Sequence, residues 1–219
     1  MITCSDLGIV PYEEAMAWQR KLADLRRKDL VADQLLLLEH PPVYTMGRRD
    51  AGSDLLIEPE TLKSNGMNVV KTDRGGRMTY HGPGQLVGYL IFKLHDSVPG
   101  FVWKIEECLL RTLAKFQLDA ERDPAHPGLW VGRSKIAALG LHIEKGISTH
   151  GFSLNVTCDL APFTHIHPCG IKDRDVTSLE REIGWSPSMR EVKQSVLEEV
   201  ARVFESNVSV EGIFSNQPE

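Results

Sequence analysis

The chain has 219 residues, 42% of them hydrophobic and 25% charged, with a net charge of −5. That is enough for a sizeable core, and the acidic balance argues against a nucleic-acid binder, whose phosphate contacts need clustered Lys and Arg. The longest aliphatic run, Leu35–Leu38, is too short to span a bilayer, and Met1 to Lys21 has no apolar stretch ending in a cleavage site, so neither a membrane span nor secretion is expected.

Tyr12 to Arg27 carries apolar residues at Ala15, Met16, Trp18, Leu22 and Leu25, with Glu early and Arg and Lys late. Spacing and charge order predict a helix. Gln34–Leu38, stopped by His40-Pro41-Pro42, reads as a buried strand, and Val43–Met46 as a short second one. Pro59–Ser64 reads as a brief helix closed by Asn65-Gly66. Met67–Val70 and Leu86–Leu94 read as strands on either side of a glycine loop, Arg74 to Gln85. Phe101–Leu118 has a helical face of Phe101, Ile105, Leu109, Thr112 and Leu113, and Phe116. Leu129–Val131, Ile136–Ile143 and Ile147–Val156 read as strands, the last two joined at Glu144-Lys145-Gly146. Cys158 to Asp175 has no clear period and reads as loop. Met189–Phe204 reads as a final helix, with Ser188 and Glu191 as a capping box. Strands come in adjacent pairs with helices between the groups. The expectation is a single α+β domain over residues 1–219, a mixed β-sheet with flanking helices.

The glycine loop holds four glycines, two arginines, a histidine and a tyrosine within twelve residues, a composition that lets backbone approach a polar or anionic partner closely. It is not a dinucleotide fingerprint: Gly82, Gly84 and Gly88 give GxGxxxG, followed by a strand. Gly128 to Lys135 is not a phosphate loop either, since Gly132 and Lys135 are not adjacent. Four cysteines (Cys4, Cys108, Cys158, Cys169) lie far apart, so free thiols in a reducing cytoplasm are expected, with Cys108 a core residue. His165, His167 and Cys169 alternate as a zinc corner would, but no nearby Cys-x-x-Cys supplies a fourth ligand, and no metal is assigned. Cys169, on a loop before Gly170, is where a reactive thiol would sit if a cation stood near it. Lys135, which opens the apolar stretch Ile136-Ala137-Ala138-Leu139, is the candidate cation; the alternative is a lysine at a strand end pointing into water.

Taken together, Arg74-Gly75-Gly76 with Thr79-Tyr80-His81-Gly82-Pro83-Gly84-Gln85, then Pro127-Gly128 through Lys135-Ile136 and Leu139-Gly140, then His150-Gly151-Phe152-Ser153-Leu154-Asn155-Val156, then Pro168-Cys169-Gly170, resemble the four blocks of the octanoyltransferases of lipoate biosynthesis. The resemblance runs from about His40 to Leu179. It implies the fold of the biotin and lipoate protein ligases, no cofactor, and transfer of an octanoyl group without ATP. The donor it implies is octanoyl-acyl carrier protein. The acceptors it implies are lipoyl domains of 2-oxoacid dehydrogenase E2 subunits and the glycine-cleavage H protein. By the same resemblance Cys169 is the nucleophile and Lys135 its partner. Acyl-binding residues fall on Arg74, Gly75, Gly76, Arg77, Met78, Thr79, Tyr80 and His81, on Ala138, Leu139 and Gly140, and on Gly151, Phe152 and Ser153. The run Ile136 to Leu139 would wall the acyl chain, and Arg74 and Arg77 would meet the acidic carrier. Two positions depart from the family pattern: His167 stands where asparagine is expected, and Ser153 where alanine is commoner. An ATP-dependent ligase on the same fold and a zinc-bound carrier-binding module are the alternatives.

Overall fold

Leu35, Leu36, Leu37 and Leu38 are all completely buried, and the sheet is layered around them. Alternation along β2 (Asp33–Glu39) sends Leu35 and Leu37 into a core shared with Leu109, Val192 and Val196, and Leu36 and Leu38 into a second core shared with Ala15 and Leu22. The computed structural model describes residues 1–49, 52–58, 61–62, 67–95, 97–167 and 174–211. The expected helix Pro59–Ser64 falls largely outside these residues, and Pro168-Cys169-Gly170 lies wholly outside them.

The described strands are β1 (Ile2–Ile9), β2, β3 (Val43–Met46), β4 (Asn68–Lys71), β5 (Met78–His81), β6 (Gln85–Ile91), β7 (Glu121–Arg122), β8 (Leu129–Val131), β9 (Ser134–Glu144), β10 (Ile147–Asn155), β11 (Asp175–Val176) and β12 (Val208–Glu211). The described helices are α1 (Tyr12–Arg27), α2 (Val98–Lys115), α3 (Leu179–Ile183) and α4 (Met189–Val203), with a 3-10 turn at Ala161–His165. The large sheet runs β12-β1-β2-β6-β10-β9-β8-β7, with β11 beside the start of β9; the small sheet is β4-β3-β5. Parallel pairing at β12-β1-β2 and antiparallel pairing from β2 to β7 make the sheet mixed. The α+β expectation holds.

α1 follows the expected bounds, with Glu13 and Glu14 in its first turn and Arg26 and Arg27 in its last. α2 begins before the expected Phe101 because the Ser97 hydroxyl accepts from Gly100 N at 3.2 Å and Pro99 suits the first turn. α4 has the capping box of Ser188 and Glu191, with Val192, Val196 and Val200 buried. Between β9 and β10 the turn is Lys145-Gly146, both at positive φ. β5 lies inside what reads as glycine loop, and the loop expected over Cys158–Asp175 contains the 3-10 turn and ends on the first residue of β11. Among the described residues no helix is long and apolar enough to cross a membrane.

Candidate active site

The glycine loop becomes a site because β5 pairs with β3, which sets Thr79 opposite Thr45 and His81 opposite Val43. Alternation then divides the expected acyl-binding residues. Thr79 and His81 line a narrow slot, whereas Met78 and Tyr80 turn the other way into a small core with Tyr44, Phe163 and Ile166. Arg74, Gly76, Ala138, Leu139, Gly140, Gly151, Phe152 and Ser153 reach the same slot, joined by Tyr12, Tyr89 and His150. Gly75 and Arg77 instead line a larger cavity of about 840 Å³, together with Lys135. Among the described residues Leu139 is the one residue other than glycine shared by slot and cavity. The slot itself encloses about 40 Å³, room for about three waters. Of the expected aliphatic wall, Ala138 and Leu139 face the slot, while Ile136 and Ala137 sit in the core.

A chain of buried hydrogen bonds runs from this loop to the strand that carries Lys135. Arg74, 8% exposed, donates Nη2–H to Thr45 O at 2.7 Å and to Thr45 Oγ1 at 2.8 Å. Gln85 Nε2 donates to Tyr80 O and Asn155 Oδ1, so its Oε1 accepts from His81 Nδ1–H at 2.6 Å. That assigns His81 Nε2 as an acceptor for the Thr45 hydroxyl, 3.3 Å away. Asn155 Nδ2 donates to Thr177 O, and Thr177 N to Lys135 O. Burial, reinforced by neighbouring His40 and Arg74, drives the His81 pKa well below its ordinary value. His81 is therefore a neutral relay at pH 7. Arg74 is committed to Thr45 and the loop, so its charge serves the inside of the protein and not a docking partner.

Lys135 is buried, at 6% exposure, and its Nζ lies 5.0 Å from the centre of the Trp130 ring. It does not point into water from a strand end. Gly128 makes this packing possible: a Cβ there would stand 2.3 Å from Ala137 O and 2.9 Å from Lys135 Cε. Arg174, the first described residue after the stretch holding Cys169, lies 4.7 Å from the same Trp130 ring. On the other side of that stretch His167 N donates to Asp54 O at 2.8 Å, and Leu56 N to His165 O. Asp54 is itself gripped by Arg77, through Nε at 2.6 Å and Nη2 at 2.7 Å. Both flanks of the Cys169 stretch are thus anchored to site elements. His165 Nδ1 sits 3.0 Å from the Tyr44 hydroxyl, and among the described residues no cluster of His, Cys, Asp and Glu fits a metal ion. Cys4, Cys108 and Cys158 are buried free thiols pushed up to about 12 by burial, which makes them inert.

The sequence reading missed Thr45, Asp54, Trp130 and the Asp73–His150 pair. His150 has φ +59 within a strand, a strained setting for a non-glycine residue. Its backbone N donates to Gln19 Oε1 at 2.7 Å, and its Nε2 lies 2.7 Å from Asp73 Oδ1. Burial lowers the His150 pKa, so the neutral ring donates Nε2–H to the carboxylate. A histidine directly before Gly151 within a buried strand was the available signal.

Residues 11–201 match the family model of the lipoyl protein ligase A/B catalytic domain. An octanoyltransferase of Dictyoglomus turgidum is 48% identical over 89% of this chain and 84% of its own. One from Chloroflexus aurantiacus is 43% identical over 97% of this chain and 98% of its own. Among solved structures, lipoate-protein ligase A bound with ATP superposes with a TM-score of 0.79 at 18% identity, covering 98% of this chain and 90% of that one. Biotin protein ligase from Aquifex aeolicus in complex with biotin and ATP gives 0.57 at 11% identity over 93% and 70%. The structural likenesses establish the fold and the sequence likenesses the family: this chain belongs to the lipoyl protein ligase A/B catalytic family, among its octanoyltransferases.

Proposed function

We propose that the chain moves an octanoyl group from acyl carrier protein to a lysine of lipoyl domains, on E2 subunits and the glycine-cleavage H protein, through a thioester on Cys169. The observation that carries the mechanism is the position of Lys135. It is a buried lysine on the wall of the large cavity, it shares a small pocket with Ala138 and Ser153 of the slot, and it lies over the ring that also meets Arg174. The Cys169 thiolate attacks the donor's thioester carbonyl; a new C–S bond forms, and the bond to the carrier's thiol breaks. The Lys135 ammonium gives a proton to the departing thiolate. The neutral amine then takes a proton from the acceptor lysine as that lysine attacks the acyl-enzyme and expels the Cys169 thiolate. Protons and acyl group balance, and no ATP is consumed. The buried free thiols Cys4, Cys108 and Cys158 suit a reducing compartment, which supports a cytoplasmic setting for the reaction.

Intact-protein mass spectrometry tests this reading. Wild type and Cys169→Ala are mixed with octanoyl-acyl carrier protein without ATP. An octanoyl adduct on the wild type alone, discharged by a lipoyl domain, is expected. Transfer by Cys169→Ala at the wild-type rate would sink the mechanism, and transfer that requires ATP would favour a ligase.

A further inference from the structure

The chain as a whole is acidic, with 30 Asp and Glu against 25 Lys and Arg, yet among the described residues the 840 Å³ cavity is lined by three arginines and a lysine and by no carboxylate. Arg77 is partly neutralised by Asp54 and Lys135 lies deep beside Trp130. Arg48 and Arg49 differ. Their side chains are exposed and make no ion pair with any described residue. Their backbone is nevertheless fixed, since Arg48 N donates to Arg74 O and Arg49 N to Gly76 O, each at 3.0 Å. Two exposed arginine side chains thus extend from fixed backbone at the wall of a cavity that reaches the buried lysine. The rest of the described wall is largely aliphatic, and among the described residues no Phe, Tyr or Trp lines it to stack on a purine. The complementary ligand has an anionic end, an aliphatic body and a reactive end at Lys135.

Building on the carrier-thioester reading above, we propose that Arg48 and Arg49 hold the phosphodiester of the donor's phosphopantetheine arm, whose aliphatic part lies along Val98, Val102 and Leu141 toward Lys135. The cations named by the sequence reading, Arg74 and Arg77, are occupied by Thr45 and Asp54, so donor recognition passes to this neighbouring pair. Guanidinium groups pair with phosphate oxygens in a bidentate geometry that lysine does not reproduce.

The test compares two donors with the same octanoyl thioester: octanoyl-acyl carrier protein, and octanoyl-N-acetylcysteamine, which has no phosphate. Steady-state constants are measured for wild type, for the Arg48→Ala/Arg49→Ala pair and for the Arg48→Lys/Arg49→Lys pair. The alanine pair is expected to raise KM for the carrier donor about tenfold with little change in kcat, and to move KM for the phosphate-free donor by less than about twofold. The lysine pair restores part of the difference, and added salt shrinks it. An unchanged carrier KM, or equal rises for both donors, overturns the proposal. A wild type inactive with the carrier donor but active with octanoate and ATP overturns the carrier reading itself, and this assignment with it.

Discussion

Lys135 and Trp130 face each other across the β8–β9 pair, in register, with the ammonium 5.0 Å from the indole ring centre. A desolvated cation over an aromatic face gains about 2 kcal/mol, so the ring helps to hold the lysine inside the protein. Lys135→Ala should slow octanoyl transfer by about a hundredfold or more, the usual scale for a lost proton-transfer group. Single-turnover rates together with thermal unfolding check this. A slow variant that melts like the wild type places the defect in the chemistry, and a variant that transfers normally removes Lys135 from the mechanism.

Stability should fall with acid through the buried histidines. His40 is fully buried, with Nδ1 at 2.6 Å from Val10 O and Nε2 at 2.7 Å from the Tyr89 hydroxyl. Burial lowers its pKa from 6.5 to about 4. The folded protein therefore favours the neutral ring. The His40 contribution is complete above pH 6.5 and is lost as pH falls through 6.5 toward 4, to a total on the order of 3 kcal/mol. His81 acts in the same direction. Urea unfolding at pH 7.5 and pH 4.5, for wild type and His40→Gln, should show a smaller drop for the variant. Equal drops would exclude the assignment.

Asp54 is 1% exposed and grips Arg77 through both carboxylate oxygens, while its backbone O accepts from His167 N. Arg77→Ala leaves a buried carboxylate short of its charged donors, at a cost of about 2 kcal/mol. Because the same residue tethers the chain just before Cys169, acyl-enzyme formation should slow as well. Arg77→Lys keeps the charge but not the fork, and should recover only part of the loss. Chemical unfolding and burst amplitude measure the two effects separately.

Gly88 lies under the Phe152 ring: a Cβ at Gly88 would stand 2.2 Å from Phe152 Cε1. Gly88→Ala should destabilise by about 1–3 kcal/mol through overpacking. Combining it with Phe152→Leu should cost less than the sum of the two, because the smaller side chain frees the space. Additive unfolding energies in a double-mutant cycle would show that the two positions are not coupled.

The legible parts of the fold were those where one element's own residues decide its state. The leucine run of β2, the charge order of α1 and the capping box of α4 are of this kind. β1 and β12 were not read as strands. Ile2 to Ile9 mixes Ser, Asp and Gly with its apolar residues, and the segment is a strand because β2 and β12 pair with it on both sides. β5 was hidden among glycines for the same reason, being fixed by its pairing with β3. α3 is five residues long, too short for a period to show, and rests on Ser178 and Gly184 at its ends.

The sequence by itself determined the family, through four blocks of residue types in order, and it determined the candidate chemistry, because a thiol, a lysine and glycine-rich backbone are properties of residue type. The tertiary structure alone decided which of those residues share a cavity. Strand alternation sends Thr79 and His81 to the slot and Met78 and Tyr80 away from it. Burial makes His81 a neutral relay, and the grip of Thr45 on Arg74 and of Asp54 on Arg77 leaves Arg48 and Arg49 as the cations turned outward. These outcomes depend on contacts between residues distant in the chain, whose geometry no local spacing encodes.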